Sequence, residues 1–117
     1  AFVTLSSQRN CGSNINELQV YNIESINNPV LINHRNLIQP KGIGLFGNYL
    51  FVCDDVIKIF NVANPEEMSL VHSIDRQAFD VIIQGNRLYV IGDAGLYQYA
   101  LNPNDVTQIT ALSVLRF

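Results

Sequence analysis

Three stretches of this chain are variants of one seven-residue pattern: ELQVYNI at 17–23, VIKIFNV at 56–62 and GLYQYAL at 95–101. Leu18, Ile57 and Leu96 hold the same place in each, at equal intervals along the chain. The second and third copies share further context. Gly47-Asn48 and Gly85-Asn86 each open an apolar run (YLFVC, RLYVI) ahead of the pattern, and Asn64-Pro65 and Asn102-Pro103 follow it. A period in the high thirties, built of short strands and turns, is the mark of a propeller-type array. Units of this kind cannot bury their apolar faces alone and must stack on their neighbours.

The expected fold class is therefore all-β: a β-propeller segment of four-stranded antiparallel blades, about three repeats of roughly 39 residues. Residues 1–5 (AFVTL) align with the second strand of the later units, so residues 1–40 read as an incomplete blade lacking its inner strand. Residues 41–78 read as a complete blade and 79–117 as a complete C-terminal blade. Residues 6–16 (SSQRNCGSNIN) form a polar loop of turn-favouring side chains. The later units join the same strands through Asp54-Asp55 and Gly92-Asp93-Ala94, which makes the first loop an insertion of about ten residues. Insertions into one unit of an array tend to mark its working face. Gly42 and Gly44 suit the innermost strand, where neighbouring strands crowd. Gly47-Asn48 and Gly85-Asn86 are tight hairpins. The runs LFVC, IKIF, LYVI and LYQY are almost continuously apolar, as strands buried on both faces are. His34 and His72, separated by nearly one repeat, fall in equivalent outer strands. Only PEEM at 65–68 could start a helix, and so short a segment does not hold in isolation.

Composition narrows the function classes. Of 117 residues 48% are hydrophobic and 15% charged, enough apolar matter for a packed core. The formal charge of −3 lacks the basic surface that general nucleic-acid binding and electrostatic membrane binding need. No apolar run reaches the roughly 18 residues of a membrane-spanning helix. Two cysteines cannot build a structural zinc site alone, and neither histidine is spaced to complete one. No order of nucleophile, histidine and carboxylate stands out, so neither a catalytic group, a metal nor a cofactor is expected.

The unit Gly-Asn-x-Leu-aromatic-Val, then Leu/Ile-x-x-aromatic-x-Ile/Val, then Asn-Pro resembles the LVIVD repeat, a propeller-forming unit of bacterial, often surface-anchored lipoproteins. The name-giving strand falls at 18–23, 57–62 and 96–101. Where the repeat ends on Asp, this chain has Asn22, Asn61 and Ala100. The resemblance spans nearly the whole chain. It implies an extracytoplasmic setting, at the cell surface or in the periplasm, with any membrane attachment through a lipid anchor outside this sequence. It also implies either the C-terminal segment of a longer propeller or, alternatively, a ring assembled from several short chains.

In such a blade the loop between the second and third strands shares a face with the crossover to the next blade. The resemblance thus gathers Arg9, Asn10, Asp54, Asp55, Arg76, Asp80 and Asp93 on one loop face, the expected surface for a protein partner. The carboxylates also suit turn formation, because Asp bonds its own backbone. Asp80 either meets a ligand near the channel, pairs with Lys41, or makes a structural bond to a neighbouring amide. Cys11 and Cys53 lie in corresponding parts of adjacent units. They either form a disulfide, given an oxidising compartment, or Cys53 is a small buried apolar residue. The aromatics Tyr49, Phe51, Phe60, Tyr89, Tyr97 and Tyr99 read as packing between blades. The leading functional expectation is a non-catalytic binding or scaffolding module. The alternative is part of a propeller enzyme, a glycan hydrolase or lyase, with its catalytic residues in blades outside this sequence.

Overall fold

Short strand-forming runs punctuated by Gly-Asn and Asn-Pro favour pairing with their immediate neighbours, and the chain does so throughout. The computed structural model describes residues 1–6 and 15–117. Among these residues there are eleven strands and no helix. A three-stranded antiparallel sheet contains β1 (Phe2–Ser6), β2 (Asn16–Asn22) and β3 (Val30–Asn36). The middle sheet contains β4 (Ile43–Phe46), β5 (Tyr49–Cys53), β6 (Ile57–Asn61) and β7 (Ser69–Ile74), in that order. The third contains β8 (Asp80–Gln84), β9 (Arg87–Gly92), β10 (Gly95–Leu101) and β11 (Ile109–Arg116). Gly47 and Gly85 both have φ of 58°, the conformation that lets the two hairpins turn tightly. The last strand starts at Ile109, several residues beyond the Asn102-Pro103 turn. Asn102 and Asp105 accept the N–H groups of Asn104 and Thr107 at 2.9 and 3.0 Å, and these local bonds compete with the ladder.

The three sheets lie face against face. Side chains alternate across a strand, so the middle sheet presents Phe51, Cys53, Ile57 and Ile59 on one side and Leu50, Val52, Phe60 and Val62 on the other. The first set packs on Val81, Leu88, Val90, Tyr97, Tyr99 and Leu101 of the third sheet. The second packs on Leu18 and Phe2 of the first sheet. Polar bonds cross both junctions. The Thr4 hydroxyl donates to the Lys41 carbonyl at 2.7 Å, Asn33 Nδ2 donates to the Pro65 carbonyl at 3.0 Å, and the Arg35 guanidinium lies 4.9 Å from the Phe60 ring centroid. At the other junction the Gly42 N–H donates to the Phe79 carbonyl at 3.0 Å. The outer faces have no such cover. The third sheet exposes Ile82 (54%) and Leu115 (63%). The first carries a polar row in which Tyr21 donates to Gln19 at 2.6 Å and Gln19 to Glu17 at 3.1 Å.

One repeated feature leaves no trace in the sequence pattern. The pairings β2–β3, β6–β7 and β10–β11 each slip register, between Val20 and Tyr21, Ile59 and Phe60, and Gln98 and Tyr99. These positions recur at the same interval as Leu18, Ile57 and Leu96. The strand pairing corrects the placing of the histidines. His72 stands opposite Ile59, whereas the counterpart of Ile59, Val20, stands opposite Asn33, and His34 faces Gln19. Asn33 is thus the counterpart of His72. A one-residue offset puts the two imidazoles on opposite faces of their sheets.

Gly42 sits where the middle and third sheets come closest. A Cβ there would overlap the Asp80 carboxylate and lie 2.7 Å from the Asp80 Cα, which is backbone and cannot yield. At Gly44 the nearest atom is a methyl group of Ile83 at 3.3 Å, which can shift. Gly42→Ala should therefore destabilise the protein by about 2 kcal/mol or more, and Gly44→Ala by less than about 1 kcal/mol. Urea unfolding of the two variants reads this directly, and equal costs would contradict the close approach at Gly42.

Candidate functional site

The loops at one end of the middle and third sheets solve the same junction in two ways. In the middle sheet the β5–β6 turn carries Asp54, which is only 3% exposed. Its carboxylate accepts the Ile38 N–H at 3.0 Å and the Gln39 N–H, both on the crossover from the first sheet. It also accepts from Lys58 Nζ at 2.8 Å. A buried carboxylate needs such partners because desolvation penalises its charge. Asp54 is thereby withdrawn from the loop surface on which the sequence places it: it clasps the crossover to the turn. Lys58 also reaches Asp55 at 3.1 Å as an ion pair on the half-exposed side of the turn. Burial pulls the Lys58 ammonium toward deprotonation, and its bonds to Asp54 and Asp55 outweigh that, so its pKa rises overall. The same ammonium holds the Asp55 carboxyl below the usual carboxylate range. The Asp55 contribution to stability is accordingly present above the ordinary carboxylate pKa and fades as the pH falls through its depressed value.

The third sheet has no such clasp. Strand pairing makes Gly92 the counterpart of Asp54, since Cys53 pairs with Ile57 as Ile91 pairs with Leu96. Tyr97 takes the place of Lys58, one repeat further on. A side chain at Gly92 would start 2.9 Å from the Gln77 carbonyl, so this position cannot supply an acid. What remains is a cavity of about 320 Å³ lined by Lys41, Arg76, Gln77, Phe79, Asp93 and Tyr97 among others. Arg76 is held in place. Its guanidinium stacks 3.7 Å from the Tyr97 ring centroid and its Nε donates to the Tyr99 hydroxyl at 2.8 Å. The Lys41 ammonium lies 5.0 Å from the Phe79 ring centroid. Among the described residues neither cation forms an ion pair with a carboxylate.

Of the residues expected on the loop face, Arg76 and Asp93 come together at this cavity. Asp55 lies at the neighbouring turn and is engaged by Lys58. Asp80 packs against Gly42, and its carboxylate accepts the Val81 N–H at 2.9 Å, so it serves its own strand and forms no ion pair with Lys41. Arg9, Asn10 and Cys11 lie outside the described residues. Cys53 is a buried free thiol whose pKa is pushed from 9.0 to about 12, first by burial and then by the Asp80 charge, with Lys41 acting the other way. No group of three His, Cys, Asp or Glu side chains stands together to hold a metal among the described residues. Lys41, Phe79 and Tyr97 are the site residues that sequence reasoning did not assign. The signal that could have found them is the contrast between repeats: where one unit has Asp54 and Lys58, the next has Gly92 and Tyr97.

Fold and site together define an all-β protein of three face-stacked antiparallel sheets with a polar cavity at one end. Its fold is similar to that of a solved structure, a functionally unknown protein from Desulfotomaculum acetoxidans DSM 771, at a TM-score of 0.69 and 16% sequence identity. The match covers 86% of this chain and 35% of that protein, so this chain spans about a third of its neighbour's length. No family model and no curated protein matches the sequence.

Removing the Asp54 carboxylate strands the Ile38 and Gln39 amides and leaves Lys58 with Asp55 alone. Asp54→Ala should cost about 3 kcal/mol or more, whereas Asp55→Ala, at the exposed partner, should cost less than about 1 kcal/mol. Equilibrium denaturation checks the pair, and comparable small losses would contradict the clasp.

Proposed function

We propose that this chain is a segment of a propeller-type array that works as a non-catalytic binding or scaffolding module, with a protein partner meeting the end that carries the β7–β8 crossover and the β9–β10 turn. The observation that carries this reading is the junction left open in the third sheet, with a fixed guanidinium at its mouth, beside an equivalent junction closed by Asp54. Ligand sites are concave, with a few polar groups that fix orientation, and this cavity has that form.

The propeller part of the proposal draws on three supports. The sheets stack in one sense: Leu18 of the first faces the middle sheet, and Ile57 of the middle faces the third. The register slips recur at the repeat period. The outer face of the third sheet exposes Ile82, Ile91 and Leu115, an apolar surface that soluble monomers rarely leave bare, and further blades or a second copy would cover it. The likeness to the LVIVD repeat is supported by a local detail. Asn22 and Asn61 stand where that repeat has Asp, and each accepts the N–H two residues on, Glu24 at 2.9 Å and Ala63 at 3.0 Å, as an Asp there would. The bacterial, extracytoplasmic setting rests on the same likeness.

The test is site-specific photocrosslinking in cells of the native source. A crosslinking side chain at Asp93 should yield covalent partner adducts, and one at Asn48, in the hairpin between β4 and β5, should not. Equal labelling, or adducts at Asn48 alone, would overturn the assignment of the partner end.

A further inference from the structure

We propose that the open junction of the third sheet is a carboxylate-binding site, in which a ligand's carboxylate stands where the Asp54 carboxylate stands in the preceding unit. The inference rests on the binding role proposed above for this end and adds the chemistry that the end recognises. The middle sheet shows what such a junction needs. There the carboxylate is met by two backbone N–H groups of the incoming crossover and one cation from the following strand, Lys58.

The third sheet lacks the acid and keeps one of the two receiving amides: the Arg76 N–H, in the place of Ile38, donates to the Ile74 carbonyl at 2.8 Å, which leaves the Gln77 N–H. Lys41 N donates to the Cys53 carbonyl and Phe79 N to the Ile91 carbonyl, so the two crossovers align with Gln77 in the place of Gln39. The Gln39 N–H bonds Asp54, whereas the Gln77 N–H has no hydrogen-bond partner among the described residues. The cation is present too, as Arg76, with Lys41 beside the same cavity. The Arg76 ring stack and its bond to Tyr99 fix its plane in advance, so little side-chain freedom is lost when an anion arrives. A planar guanidinium matches a carboxylate through two parallel bonds, and this geometry favours a carboxylate over a spherical anion. Gly92 cannot grow a side chain toward the Gln77 carbonyl, so the acid must come from outside the turn. Asp93 lines the rim as an exposed carboxylate and disfavours ligands of high negative charge. A free small carboxylate and an acidic side chain of a partner segment offer the same group.

The experiment is a titration of the isotope-labelled protein followed by amide NMR, with three probes: succinate, a blocked Ala-Glu-Ala peptide, and inorganic phosphate. Succinate or the peptide should shift the Gln77, Gly92 and Asp93 amides saturably, and weaken in binding as salt is raised. Succinate acting alone identifies a small carboxylate, and the peptide acting alone identifies an acidic partner segment. Arg76→Ala should lower the affinity roughly tenfold or more, the loss expected for a charge-assisted bond, and Arg76→Lys should recover only part of it. Lys41→Ala, which leaves the Tyr97 stack untouched, should weaken binding by a smaller factor and guards against a folding defect in the Arg76 variants. Absence of saturable shifts, unchanged affinity in both the Arg76→Ala and Lys41→Ala variants, or phosphate binding as tightly as succinate would overturn the carboxylate assignment. If partner adducts still form at Asp93 in that event, the binding role of this end stands and only its ligand chemistry fails.

Discussion

Everything in this structure depends on burying both faces of the middle sheet. Phe51, Cys53, Ile57 and Ile59 on one side and Leu50, Val52, Phe60 and Val62 on the other are withdrawn from water only because a sheet lies on each side. A single four-stranded sheet apolar on both faces has no stable form in water, so the unit is the stack and not the sheet. Removing Phe51 or Phe60 would open a void in a junction, a change that typically costs about 3–5 kcal/mol. The same logic accounts for glycine at position 42, since the sheets approach too closely there for a Cβ.

Stacking also explains why the loops at one end differ so much in consequence. Each junction brings a crossover, a turn and the start of a strand to one point, and the backbone groups of the crossover must be satisfied there. The middle sheet satisfies them internally with Asp54 and Lys58, committing a buried carboxylate to its own architecture. The third sheet replaces those residues with Gly92 and Tyr97 and carries a stacked guanidinium instead. The closed junction is structural, whereas the open one leaves the Gln77 N–H without a hydrogen-bond partner among the described residues and a stacked guanidinium beside the cavity. The two alternatives arise from a handful of substitutions on a shared frame.

The all-β class and the three antiparallel sheets were legible because period-two apolar runs and Gly-Asn turns act locally, and strand bounds such as 95–101 follow from them directly. The register slips were not legible. A bulge adds one residue to one partner and leaves no mark in apolar spacing. His34 lies one residue short of a full repeat before His72, and strand pairing makes Asn33 the counterpart of His72. The burial of Asp54 was hidden for a related reason: its partners are backbone amides far back along the chain, at Ile38 and Gln39, and backbone amides carry no sequence signature. Arg76 was legible as a loop cation, but its seat on Tyr97 and Tyr99 belongs to packing between elements and is set only by the stack.

Native-state hydrogen exchange, resolved by residue, tests the central claim most directly. If two-sided burial of the middle sheet holds the molecule together, the amides of β5 and β6 should be the slowest to exchange, opening only with global unfolding, while β3 and β11 exchange through local opening. Protection that is equal across the three sheets, or greatest in β11, would contradict the account.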